Sequence, residues 1–248
     1  MSAQPTVYVV TGGGRGIGLA FVQALAARPN TVVYAGVRSF PPAADSELGK
    51  LAASKPDVCI PIKITSGDEE DNAAAAATIK AKYGKGVSVV IANAGIQTGM
   101  NPIQHAKMDD FIDNFKINTL SPVLLLQKLS PLLLPGGKFI AISSQLGQIT
   151  DAAPYPFSCY GASKAALNYV MKKADMESPG VTIFPIHPGG VKTQMTLDGL
   201  KEVGMKPEDV GAIEPEESVA GMLDVIDKAT KESHGGKFWD YKGEQMTF

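Results

Sequence analysis

Tyr160 and Lys164 stand four residues apart in Tyr160-Gly161-Ala162-Ser163-Lys164, a spacing that puts both side chains on one face of a helix. A free phenol, with a pKa of about 10, is a reluctant proton donor near neutrality. An ammonium one turn away favours the phenolate and draws that pKa down, which makes the phenol a usable general acid. Such a pair suits the protonation of an alkoxide, the species left when a hydride adds to a carbonyl. Ser143 and Ser144 each offer a hydroxyl to the oxygen on which that charge develops. Taken singly, a Tyr and a Lys at this spacing also make an ordinary amphipathic contact.

A second cluster could hold an anion. Thr11-Gly12-Gly13-Gly14-Arg15-Gly16-Ile17-Gly18 follows a β-branched run and opens a helical pattern. Glycines let a pyrophosphate approach bare backbone N–H groups, and the helix start adds partial positive charge. A plain strand–helix turn is the competing reading of the same glycines. The next strand ends Ala35-Gly36-Val37-Arg38, with no carboxylate before Asp45. A carboxylate there would accept from a ribose 2′-hydroxyl, whereas an Arg accommodates a 2′-phosphate. Arg15 and Arg38 together therefore select NADP(H), because guanidinium forks pair well with phosphate oxygens.

These residues need a scaffold that delivers them to one edge. Strands are expected at 6–10, 31–37, 58–64, 87–92, 138–143, 181–186 and 236–241. Helices are expected at 17–27, 46–54, 69–83, 109–134, 158–176 and 216–230. Continuous apolar character in Val7–Val10, Val89–Ile91 and Phe139–Ile142 means that both faces of those strands are covered. The alternation implies an α/β fold: one Rossmann-type, doubly wound parallel sheet of about seven strands with helices on both faces. No linker divides residues 1–248, so a single domain is expected. Gln194–Ile213, with three glycines and a proline, reads as a substrate lid.

The composition agrees. Of 248 residues, 44% are apolar and 19% charged, and the net charge of −2 gives no attraction to nucleic acid or an anionic membrane. Two cysteines, Cys59 and Cys159, exclude a disulfide framework and favour a reducing compartment. Met1–Pro5 lacks the basic start and apolar run of a signal peptide, and the apolar stretch at 123–134 is cut by Gln127, Lys128, Ser130 and Pro131. A cytoplasmic protein is expected. His105, His187 and His234 show no ligand spacing, so no metal is expected. Cys159 reads as a small buried residue rather than a redox switch. Met100, Met195 and Met205 read either as an adaptable apolar wall or as gap fillers.

In order along the chain stand Thr-Gly-x-x-x-Gly-x-Gly, Asn93-Ala94-Gly95, Ser144-x-x-Gly147, Tyr160-x-x-x-Lys164 and Pro188-Gly189-Gly190-Val191-Lys192-Thr193. With this ordered set, nearly the whole chain resembles the short-chain dehydrogenase/reductase family. Ala35–Arg38 and Phe238–Gly243 add a similarity to C-factor-type carbonyl reductases and fungal polyketide ketoreductases. The resemblance implies an NADPH-dependent reduction of a small apolar ketone or aldehyde. An oxidative alcohol dehydrogenase acting on a steroid- or sugar-like alcohol, and a cofactor-binding sensor without turnover, are the alternatives.

By the family pattern Ser144, rather than Ser143, binds the carbonyl oxygen. Tyr160 is the general acid and also touches the cofactor, Lys164 also holds the nicotinamide ribose, and Asn118 anchors a water that relays protons to Lys164. Gly12, Arg15, Gly16, Ile17, Gly18, Arg38, Asn93, Ala94, Gly95, Pro188 and Gly189 shape the cofactor cleft. Val191 and Thr193 meet the nicotinamide amide and a nearby phosphate. The third strand departs from the pattern, reading Lys63-Ile64-Thr65 where an Asp is usual for adenine, which leaves the Ile64 backbone for that role. The sixteen positions from Ser144 to Tyr160 are slightly long, and the extra 151–157 loop, with Tyr155 and Phe157, is expected beside the substrate. A homodimer or homotetramer is expected, from family resemblance and from apolar residues on the helices at 109–134 and 158–176.

Overall fold

A computed structural model describes residues 4–248, so the Met1–Ala3 part of the amino-terminal reading lies outside the described residues. The strands are β1 (Thr6–Thr11), β2 (Thr31–Val37), β3 (Cys59–Lys63), β4 (Val87–Ala92), β5 (Leu133–Ile142), β6 (Thr182–His187), β7 (Phe238–Asp240) and β8 (Gln245–Met246). They form one sheet in the order β3-β2-β1-β4-β5-β6-β7-β8. Every pairing is parallel except β7 with β8. The sheet thus has eight strands rather than about seven; the added one is a two-residue antiparallel edge whose length carries no periodic signal. The order reverses between β1 and β4, and at that switch point the carboxyl ends of the strands open a crevice.

Both faces are covered, as the continuous apolar strands require. On one face Val10, Ile140 and Phe184 pack against α1 (Gly16–Ala26) and α8 (Pro215–Lys228) through Phe21, Leu25, Met222 and Ile226. On the other, Val9, Tyr34, Val90 and Phe139 meet Ile79 of α3 (Glu69–Tyr83), Leu129 of α5 (Ser121–Leu129) and Leu167 and Met171 of α6 (Ser158–Glu177). The shorter helices are α2 (Glu47–Ser54), α4 (Met108–Phe115), α7 (Gln194–Glu202) and α9 (Lys231–His234). Several helix starts are capped by their own sequence. Ser46 accepts from the Gly49 N–H ahead of α2, and Asp68 accepts from the Asp71 N–H ahead of α3.

The expected helix at 109–134 is not one regular helix. It runs through α4, widens to a π-helical turn at Lys116–Leu120, continues as α5, tightens at Ser130–Leu132 and gives way to β5 at Leu133. Pro131 has no N–H to extend the helix, and the released Leu133 pairs with Val87 of β4. π-Turns recur at functional sites, and this one contains Asn118.

Candidate active site

The glycine turn is built by close backbone approach. Gly12 and Gly16 have φ of +68° and +54°, which L side chains rarely adopt. A Cβ on Gly18 would lie 2.1 Å from the Gly12 carbonyl oxygen and 2.6 Å from Asn93 Nδ2. The Gly13 N–H donates to the Gly36 carbonyl at 3.0 Å, fastening the turn to the end of β2. Thr11 locks it to β4: its Oγ1 accepts from the N–H groups of Asn93 at 3.0 Å and Ala94 at 3.1 Å, and its carbonyl accepts from Asn93 Nδ2 at 2.9 Å. Thr11 thus belongs to the site. The sequence reading used it only as a motif letter, and its signal was its place at the strand's last position.

Helix α1 starts at Arg15 with no side-chain cap and no acidic residue in its first turn, so its leading N–H groups face the crevice uncommitted. Ile17 is half-buried behind them. Arg15 and Arg38 are both exposed, and neither makes an ion pair among the described residues. A dinucleotide phosphate fits this donor set. At the adenine side, Lys63 is drawn away into an ion pair with Asp71 at 3.0 Å. The Ile64 N–H is spent on the Val37 carbonyl at 3.0 Å, which leaves the Ile64 carbonyl and side chain.

Tyr160 and Lys164 lie in α6, and Ser144 follows β5. Burial pushes the Tyr160 phenol up to about 12, against the smaller opposing pull of the nearby Ser144 hydroxyl. Burial pushes the Lys164 ammonium down to about 7. Its Nζ donates to the Ile142 carbonyl at 2.7 Å and stands 5.5 Å from the centre of the Tyr160 ring. The drop in phenol pKa expected from the ammonium is therefore not what this geometry produces: Lys164 bonds the strand end, and desolvation raises both neutral forms. The Ser143 hydroxyl is taken by Asn168 Oδ1 at 2.6 Å, while Ser144 Oγ accepts only from the Leu146 N–H at 3.2 Å. Asn168, one turn beyond Lys164 on the same helix face, is a support that the sequence reading passed over.

Asn118 is fully buried. Its amide exchanges two hydrogen bonds with the Ile96 backbone, both 2.9 Å, and donates to Ser163 Oγ at 3.0 Å. A Cβ on Gly95 would sit 3.0 Å from Asn118 Oδ1 and 3.8 Å from Lys164 Nζ, so Gly95 leaves open the space between these two groups. At the far wall, Gly189 has φ of +85° and a Cβ there would meet the Tyr241 ring at 2.9 Å. The Pro188 carbonyl accepts from the Ser218 hydroxyl at 2.5 Å. Val191 is buried and bridges to Ile213, and the Ile213 N–H donates to the Gly190 carbonyl at 2.8 Å. Both ends of 194–213 are thus clasped at one stem. Thr193 caps α7 and lies against the glycine turn, its methyl 3.3 Å from a Cβ built on Gly16.

The 151–157 loop is divided. Tyr155 is exposed, but Phe157 is buried at the start of α6, so only the tyrosine is displayed. Met100 Sδ and the Gln97 amide both come within 3.3 Å of a Cβ on Gly199, which brings α7 against the loop after β4. His105, His187 and His234 lie on separate elements. No group of three or more His, Cys, Asp or Glu suited to a metal occurs among the described residues.

A family model described as short chain dehydrogenase matches residues 6–202. An uncharacterized oxidoreductase of Schizosaccharomyces pombe is 34% identical over the full length of both chains. The norsolorinic acid ketoreductase of Aspergillus parasiticus is 33% identical, over 95% of this chain and 88% of its own. Among solved structures, the NADPH-bound carbonyl reductase from chicken fatty liver is 31% identical and superposes with a TM-score of 0.88, covering 99% of this chain and all of the other.

Proposed function

The chain belongs to the short chain dehydrogenase family and is an NADP-dependent oxidoreductase; from that premise we propose that it reduces a small apolar ketone or aldehyde to the alcohol, with Tyr160 as general acid. The observation that carries this reading is the placement of Tyr160 over buried Lys164, Nζ 5.5 Å from the ring centre, beside Ser144 at the sheet edge that also bears the glycine turn. NADPH, when bound, supplies the hydride. Ser144 and Tyr160 donate to the carbonyl oxygen and hold it as negative charge gathers there. A phenol held near 12 is protonated at neutral pH, so Tyr160 enters the reduction as a proton donor.

Lys164 then returns a proton toward Tyr160 and holds the ribose of the cofactor. Asn118 Oδ1, across the gap that Gly95 leaves open, anchors the relaying water. Arg15 and Arg38 pair with the 2′-phosphate. Gly12, Gly16, Ile17, Gly18, Asn93, Ala94, Gly95, Pro188 and Gly189 shape the cleft, while Ile64 borders adenine and Val191 and Thr193 meet the nicotinamide side. Residues 194–213 form the lid of a single-domain enzyme. The exposed Met108, Ile112 and Phe115, with Tyr169 and Met176, form the face of a homodimer or homotetramer; light scattering tests it. No helix among the described residues is long and apolar enough to cross a membrane, and we place the protein in the cytoplasm.

The test follows NADPH absorbance against a ketone and aldehyde panel, with Tyr160→Phe as control. Substrate-dependent oxidation that vanishes in the variant supports the reading. Cofactor binding with no Tyr160-dependent turnover would replace it with a sensor.

A further inference from the structure

The connection from Ser144 to Tyr160 begins and ends at groups proposed to touch the carbonyl, so whatever fixes its middle fixes one wall of the substrate space. Its middle is fixed from far along the chain. Gln148 Nε2 donates to Thr247 Oγ1 at 2.7 Å and to the Thr247 carbonyl at 3.2 Å. Thr247 Oγ1 donates in turn to Asp151 Oδ2 at 2.7 Å. Between these residues, Thr150 gives both its N–H, at 3.2 Å, and its hydroxyl, at 3.1 Å, to the Phe248 carbonyl.

The segment that does the holding is itself anchored. β8 pairs with β7, the Phe248 ring stacks on Phe238 of β7 with centres 6.2 Å apart, and Lys172 Nζ of α6 lies 4.7 Å from the centre of the Phe248 ring. Phe238 is fully buried, so the anchor reaches the sheet core. Ile149, flanked on both sides by held residues, is 76% exposed, and Tyr155 beyond them is exposed as well. A segment held in place here offers Ile149 and Tyr155 to a ligand as a preformed apolar contact, with less ordering entropy left to lose on binding.

We propose that Thr247 is a positioning residue for substrate: through Gln148 and Asp151 it fixes the 148–157 wall and so sets how large an apolar ketone the protein accepts. The proposal rests on the carbonyl-reductase reading above. A flexible wall still meets a compact ketone near Ser144 and Tyr160, but it loses its preformed contact with an extended one, and that loss falls on KM.

The full chain carrying Thr247→Val, which keeps the shape and removes the hydroxyl, is compared with Thr247→Ser, which keeps the hydroxyl. Amide hydrogen exchange over 148–157 is expected to quicken about tenfold in Thr247→Val and to stay near wild type in Thr247→Ser. KM for an extended polycyclic aryl ketone is expected to rise about tenfold in Thr247→Val. Its kcat, the KM for a compact aryl methyl ketone and the fluorescence-measured NADPH affinity should all hold. Unchanged exchange over 148–157, or equal losses on both ketones through kcat, would overturn the proposal. If the wild-type protein reduces neither ketone, the reading of function fails, and the exchange comparison still decides whether Thr247 holds the wall.

Discussion

Asn118 and Ile96 are joined by a reciprocal pair of hydrogen bonds, the amide oxygen accepting from the Ile96 N–H and the amide nitrogen donating to the Ile96 carbonyl, each at 2.9 Å. The π-turn at Lys116–Leu120 holds the side chain that makes this pair, and the pair fixes the strand-end loop one residue beyond Gly95. Asn118→Ala would leave the Ile96 N–H and carbonyl and the Ser163 hydroxyl without these partners at a part-buried position. We expect a loss of about 2–4 kcal/mol in urea unfolding, together with a fall in kcat, because Gly95 and Lys164 border the same gap. Unchanged unfolding would mean that the pair contributes nothing to holding the loop.

Tyr160→Phe removes one hydroxyl from a helix face that otherwise keeps its shape. Turnover should fall by about 10²–10⁴-fold, the usual worth of a positioned general acid, while NADPH affinity, read by fluorescence, stays within a factor of about two. A variant that retains a tenth of wild-type kcat would move the proton donor elsewhere, with Ser144 the next group to replace.

We propose that cofactor choice rests on Arg15 and Arg38, two exposed cations that make no ion pair among the described residues. The Gly13–Gly36 hydrogen bond brings the turn that carries Arg15 beside the strand end that carries Arg38. Arg38→Ala should weaken NADPH binding by about tenfold, in line with a charge-assisted hydrogen bond, and leave NADH binding nearly unchanged. Titration with both cofactors checks it; parallel losses would assign Arg38 to a part of the dinucleotide that the two share.

Much of this architecture was legible because it is local. Apolar runs of a few residues marked β1, β2 and β4 to within a residue, and the order of short motifs located the crevice. The breaks have physical causes. The early start of β5 depends on Pro131 and on the pairing of Leu133 with Val87, a partner far off in sequence. The short β8 has no pattern, and the hold of Thr247 on Gln148 and Asp151 spans nearly a hundred residues. Charge also misled. An ammonium one turn from a phenol suggests a depressed phenol pKa, yet Lys164 bonds Ile142 and burial acts on both groups. Periodicity reports which face a residue occupies; it does not report what the residue touches there.

His187 offers a prediction in which pH alone is varied. It ends β6, is buried, and its Nδ1 has no hydrogen-bond partner among the described residues. Burial pushes its pKa from 6.5 down to about 4, only partly offset by the nearby negative charge of Asp240. Below 6.5 the unfolded chain takes a proton on this ring that the folded protein refuses until about pH 4. Folding stability from this group is therefore intact above pH 6.5 and drains away as pH falls through the window between those values. At full extent the loss is about 3 kcal/mol, an order-of-magnitude figure. His187→Gln, which cannot titrate, should be less stable than wild type at pH 7 if the ring packs well, yet lose less between pH 7 and 4.5 in urea unfolding. The difference between the two proteins cancels the carboxylates that titrate in both. Parallel acid limbs would show that the ring is protonated in the folded state and that its burial is relieved by water.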